Sequence, residues 1–194
     1  MNDQAGIEQA ALRRRDDWAS AYARVRAASE RLCAPLCVED YGLQTADFAS
    51  PPKWHLAHVS WFFETFLLVP FLPGYRVFDP AFRSLFNSYY EQVGEFHPRA
   101  ERGHLSRPTV EAMYRYRAHV DLAMATLIAE AGADHWPTIE ARLAIGLNHE
   151  QQHQELLLTD IKHALFQNPL GVAWWDTPMP AAQPQADDWH EHPG

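Results

Sequence analysis

Apolar positions recur at helical spacing through most of the chain. Over residues 7–36, Trp18, Tyr22, Val25 and Ala28 or Leu32 lie three or four apart in a background rich in Ala, Arg, Glu and Leu. That pattern predicts a helix ended by Pro35, followed by a turn through Tyr41-Gly42. Ser50 before Pro51 and Pro52 reads as an N-cap with prolines in the first turn of a helix. This second helix should run to Val69 and stop at Pro70. Trp54, Leu56, Trp61, Phe62, Phe63, Phe66, Leu67 and Leu68 cover most of its circumference, so it should be central. Asp79-Pro80 opens a shorter helical segment over 81–92, carrying Phe82, Leu85, Phe86, Tyr89 and Tyr90. Residues 94–108 form a long connection with His97, Arg99, Arg102, His104 and Arg107; that length inside a compact domain points to function. A helix over 109–131, with Val110, Met113, Tyr114, Val120, Met124 and Leu127 inward, is closed by Gly132, and a last helix covers 137–166.

No segment reads as a strand and no repeat is present. The expected architecture is all-α: an antiparallel bundle of four main helices, with one short helix and a long functional loop. Beyond Asn168-Pro169 the periodicity stops, so 1–168 reads as the helical domain and 169–194 as a linker-like tail.

Composition narrows the function classes. The 194 residues are 47% hydrophobic and 21% charged, the balance of a soluble globular domain. Sixteen Lys+Arg against 25 Asp+Glu, a formal charge of -9, argue against nucleic acid or anionic membrane as a partner. The uncharged stretch around the aromatic run is too short to span a bilayer, and the N-terminus lacks the pattern of a secretory signal. Cys33 and Cys37 cannot build a disulfide framework, so a cytoplasmic location is expected. Their spacing fits neither a zinc ribbon nor a redox pair, and both read as small buried residues.

Eleven histidines change the picture. His149 and His153 stand four apart, about 40° from each other on one helix face and along its apolar stripe. Two inward imidazoles need partners, and one metal ion satisfies both. His55 and His58 form a second pair, three apart, on the central aromatic helix. A third ligand from another helix is how bundle metal sites are built. Spacing does not choose between His55 and His58; the one left over is a core histidine or a support for a ligand. Three neutral nitrogens with open positions suit Zn, Fe(II), Ni or Cu. His149-Glu150-x-x-His153 also matches the metalloprotease string in which Glu150 is the general base. The extended form of that motif fails, because Leu156 and Thr159 stand where Gly and His are required. Arg99, Arg102 and Arg107 are either solvated or a clamp for a carboxylate.

Several separated motifs occur in a familiar order. They are Ser50-Pro51-Pro52-Lys53-Trp54-His55-Leu56-Ala57-His58, Trp61-Phe62-Phe63-Glu64-Thr65-Phe66, Leu85-Phe86-Asn87-Ser88-Tyr89-Tyr90 and His97-Pro98-Arg99-Ala100-x-Arg102-Gly103. Leu105-Ser106-Arg107-Pro108-Thr109 and Leu147-Asn148-His149-Glu150-Gln151-Gln152-His153-Gln154-Glu155-Leu156 complete the series. Across residues 18–168 the chain resembles the N-terminal domain of the ergothioneine-biosynthesis sulfoxide synthases (EgtB), a domain similar to DinB-like four-helix bundles. The resemblance implies a nonhaem iron(II) enzyme that uses O2 to join the thiol of cysteine or γ-glutamylcysteine to the imidazole of hercynine. It implies iron ligands at His58, His149 and His153, thiol-carboxylate binding by Arg99 and Arg102, and an imidazole contact by Gln152. As isolated, such a site also accepts Zn or Ni.

The sequence departs from that family in one respect. Its members continue into a second domain resembling formylglycine-generating enzymes, which supplies a catalytic tyrosine. Here no tyrosine follows Tyr116, and no catalytic residue of that kind is identified in the chain. The expectation is a fragment, a truncated product or half of a split enzyme, needing the second domain in cis or in trans. The alternatives are a stand-alone DinB-like thiol transferase or isomerase, and a non-catalytic metal-binding remnant.

Overall fold

The computed structural model describes residues 2–175, and these are helical with no strand among them. Four long helices carry the architecture: α1 (Asn2–Cys33), α2 (Pro52–Phe63), α4 (Val110–Glu130) and α5 (Trp136–Phe166), with a short helix, α3 (Phe82–Leu85), among the turns between α2 and α4. The bundle therefore has the expected class and number of main helices. Helix α2 lies against α4 and α5, while α1 closes the fourth side along α5. All twelve residues of α2 are buried, as the aromatic circumference of that segment requires.

The ends of the helices show where local chemistry overrides the simplest sequence signals. Ser50 is not the N-cap of α2; Pro51 holds that position with no side-chain cap bond. The Ser50 hydroxyl instead accepts from Arg102 at 2.9 Å, and its backbone N–H donates to Asp160 at 2.9 Å. At its other end α2 does not stop before Pro70. It passes through a π-helical turn, Glu64–Leu68, into one further turn, Val69–Phe71. In an unbroken α-helix Pro70 would leave the Phe66 carbonyl without a donor. The Arg142 guanidinium fills that place, donating to Phe66 O at 2.8 Å.

The helix expected over 81–92 contracts to α3 because Asn87 takes over the chain. Fully buried, Asn87 donates to the carbonyls of Tyr90, Gly94 and Glu95 and accepts from the Tyr90 N–H, which clamps a loop and stops the helix. Thr109 caps α4 by accepting from Ala112 N–H, as its position suggests. Gly132 is not the C-cap of α4. Ala131 is, and the Gly132 carbonyl accepts the N–H groups of His135 and Trp136 as α5 begins. Cys33 is buried as expected, but Cys37 is exposed.

Two features seat α5 in the bundle. Gly146 faces the aromatic helix so tightly that a Cβ there would lie 2.5 Å from the Phe63 ring and 3.1 Å from the Phe62 ring. Below it, a charged layer crosses the bundle: Glu150 accepts from Arg26 at 3.0 Å, Arg117 at 3.2 Å and Ser29 at 2.7 Å, and all of these residues are buried. Of the tail, residues up to 175 are described; Trp174 packs back on the bundle, its indole N–H donating to Leu32 O at 3.2 Å. Residues 176–194 of the expected linker lie outside the described part. No described helix is long and apolar enough to cross a membrane.

Candidate metal centre

Helices α2 and α5 meet through their histidines. His149 and His153 sit one turn apart on the face of α5 turned to α2, and His58 faces them from α2. One ring nitrogen from each of the three lies within 4.8 Å of the other two. His58 Nε2 and His149 Nε2 are 3.2 Å apart. Nitrogens sharing a metal at about 2.0–2.1 Å stand about 3.0–3.4 Å apart, so this pair already has the separation of co-ligands. Two imine nitrogens cannot face one another at that distance without a proton or a cation between them, because their lone pairs repel.

Each ring is held differently. His58 stacks between two indoles, with Trp54 at 4.5 Å and 12° and Trp61 at 5.4 Å and 15°. Its Nδ1–H donates to the Phe86 carbonyl at 2.6 Å, which leaves Nε2 as the lone pair facing His149. His153 Nδ1 is 2.8 Å from His55 Nδ1, and the far nitrogen of His55 is 3.0 Å from Asp160 Oδ2. His149 packs against Phe62 at 4.9 Å, and its buried Nδ1 has no partner among the described residues.

Burial keeps these rings neutral, which is the state a metal needs. It drives His58 and His153 well below the usual histidine range, with neighbouring histidines and Arg102 adding to the effect. Burial lowers His149 to about 4, against the opposing pull of Glu150. His55 is also pushed down by burial, despite the raising effect of Asp160. Spacing alone left the choice between His55 and His58 open. In the fold, His58 joins the convergent triad and His55 stands behind His153.

Glu150 is turned away from the histidines. Burial opposes its ionisation, but Arg26, Arg117 and Ser29 outweigh that and hold its carboxyl below the usual range. A carboxylate locked to two guanidiniums in the core cannot serve as the general base of a metalloprotease, so the zincin reading fails.

The arginine loop divides. Its segment Arg99–His104 is a 3-10 turn. Arg99 is exposed, whereas Arg102 is only 2% exposed. The Arg102 guanidinium lies 3.3 Å over the Trp54 ring, the same indole that stacks on His58. Ser50 is its hydrogen-bond acceptor, its Nε has no partner, and no carboxylate pairs with it among the described residues. Burial, reinforced by Arg99 and opposed by Asp160, lowers its pKa to about 9, and it remains a cation at neutral pH. Arg102 is therefore not a solvated connector residue. Gln152 is exposed on the turn of α5 between His149 and His153.

The sequence motifs do not mark Asp160 as part of the site. A usable signal was present: Asp160 follows His153 by seven residues, two helical turns, and so shares its face. The carbonyl of Phe86 carries no such mark, since every residue has one.

The family model of the DinB superfamily matches residues 21–157, and the chain belongs to that superfamily. No curated protein matches the chain.

Proposed function

We propose that this DinB-superfamily chain is the metal-binding helical domain of an iron(II)-dependent sulfoxide synthase, joining the thiol of cysteine or γ-glutamylcysteine to the imidazole of hercynine. One observation carries the reading: three neutral histidine nitrogens converge beside a buried arginine that forms no ion pair with a carboxylate among the described residues. Such a cation is costly to bury unless an anion joins it, and an acidic small molecule anchored near a metal is the natural counterpart. When bound, iron(II) supplies the redox chemistry of the coupling, with O2 as the four-electron oxidant. One oxygen atom ends in the sulfoxide; the other leaves as water with the thiol and imidazole hydrogens.

The residues of the chain bind and orient. His58, His149 and His153 hold the metal. Arg102, stacked on Trp54, takes a carboxylate of the thiol substrate, and Arg99 at the surface reads a second one. Gln152 presents an amide to the imidazole of hercynine. Trp54, Trp61 and Phe62 wall the histidines and exclude water from that side. A formylglycine-generating-enzyme-like domain, in cis or in trans, supplies the remaining contacts and the catalytic tyrosine.

Anaerobic loading with Fe(II), followed by metal analysis, tests the site. His58→Ala, His149→Ala and His153→Ala should each empty it. Cysteine, hercynine and O2 are then added to the loaded chain with and without the second domain, and products are read by mass spectrometry. Sulfoxide in the mixture alone supports the proposal. Thiol transfer by the lone Zn- or Ni-loaded chain would replace it with a stand-alone transferase. An unaltered chain that takes up no metal would end it.

A further inference from the structure

We infer that Asp160 and His55 are positioning residues for His153, forming a relay that fixes which nitrogen of that ring is free to ligate. The inference rests on the metal reading above and goes beyond it. Asp160 Oδ2 accepts the Ser50 backbone N–H at 2.9 Å and stands 3.0 Å from His55 Nε2. A carboxylate has no proton to give, so the proton of that second bond belongs to His55 Nε2. His55 Nδ1 is then an imine lone pair. It lies 2.8 Å from His153 Nδ1, which must therefore carry the hydrogen of this contact. The only lone pair left on His153 is Nε2. One carboxylate thus sets the tautomer of a ring two residues removed from it through hydrogen bonds.

The same device appears in another form on His58, whose Nδ1–H is held by the Phe86 carbonyl. Histidine ligands are commonly oriented by an acceptor on their other nitrogen, and loss of that acceptor costs about 10- to 100-fold in metal affinity. Here the acceptor is a second histidine backed by an aspartate. Asp160 also ties the start of α2 to α5 through Ser50, so it fixes the tautomer and the helix spacing together.

Chelator competition with Zn(II) and with anaerobic Fe(II), on the full chain, measures the effect. Asp160→Ala and His55→Ala should each weaken binding by about 10- to 100-fold. Asp160→Asn keeps an acceptor oxygen, and His55→Asn places one near the former Nδ1, so both should recover part of the loss. Nitrogen-15 NMR of the metal-free unaltered chain should find His153 as the Nδ1–H tautomer and His55 as the Nε2–H tautomer, whatever the variants do to folding. Unchanged affinity in both alanine variants would overturn the relay, as would an Nε2–H tautomer for His153. Equal losses in the alanine and asparagine variants, tracking equal drops in Tm, would reduce the pair to a structural role and also overturn it. Failure of the unaltered chain to bind either metal would sink the metal reading and the relay with it; normal binding with unaltered variants sinks the relay alone.

Discussion

His149 is the least supported of the three rings, and its protonation should be visible in stability. In the unfolded chain a histidine gains its proton near pH 6.5, whereas folded His149 holds off until about 4. Between those values the unfolded state binds more protons, so stability is full above about pH 6.5 and falls as the pH drops toward 4. His149 should contribute a loss on the order of a few kcal/mol over that window, added to those of His55, His58 and His153, which burial also depresses. Thermal melts at stepped pH check this, and His149→Asn should flatten the slope. Arg102 makes a second prediction. Replacing it with alanine should weaken cysteine or γ-glutamylcysteine binding to the Fe(II)-loaded chain by about one to two decades, the worth of one charge-assisted pair. Metal content should not change, and calorimetric titration separates the two effects. The histidines were legible in the sequence as polar residues on an apolar stripe. The burial of Arg102 was not, because a loop arginine reveals its environment only once the 3-10 turn lays it over Trp54.

At the scale of elements, α5 carries two chemistries on adjacent residues. His149 turns to α2, and Glu150 turns to the arginines of α1 and α4. Glu150→Gln leaves Arg26 and Arg117 without their shared carboxylate and should cost about 3–5 kcal/mol, as breaking a buried pair does. Chemical denaturation measures that loss, while metal analysis of the folded fraction should find the site still filled. Loss of metal without loss of stability would restore Glu150 to the centre. The main helices were readable because their apolar spacing extends over many turns. The π-helical turn and the short α3 were not. The first depends on Arg142 reaching across the fold to Phe66 O and the second on Asn87 gathering the carbonyls of its own loop, and periodicity holds no trace of either.

For the molecule as a whole, the charged layer ties α5 to α1 and α4 and the Gly146 contact holds it against α2, without any help from a ligand. The metal-free chain should accordingly keep its helical circular dichroism, unlike small domains that fold only around their ion. Loading should raise the unfolding free energy by about 2.7 kcal/mol when free metal is a hundredfold above Kd. Denaturant midpoints with and without Zn(II) test it, and an unfolded apo chain would contradict the preformed site. Fold class followed from helix periodicity alone. The convergence of His58 with the α5 pair needed the packing of two helices far apart in the chain, His58 and His149 being 91 residues apart, about which spacing within either helix says nothing.

The stacking of His58 between Trp54 and Trp61 gives the protein an optical voice. Indole emission is sensitive to charge and to open-shell ions at van der Waals range, and here two indoles lie directly on a ring of the triad. Arrival of Ni(II) or Cu(II) should dim tryptophan fluorescence in proportion to occupancy, while closed-shell Zn(II) should leave most of it intact. Trp54→Phe and Trp61→Phe should each remove part of the quenchable signal, so that stopped-flow fluorimetry follows the filling of the site in real time without any added dye.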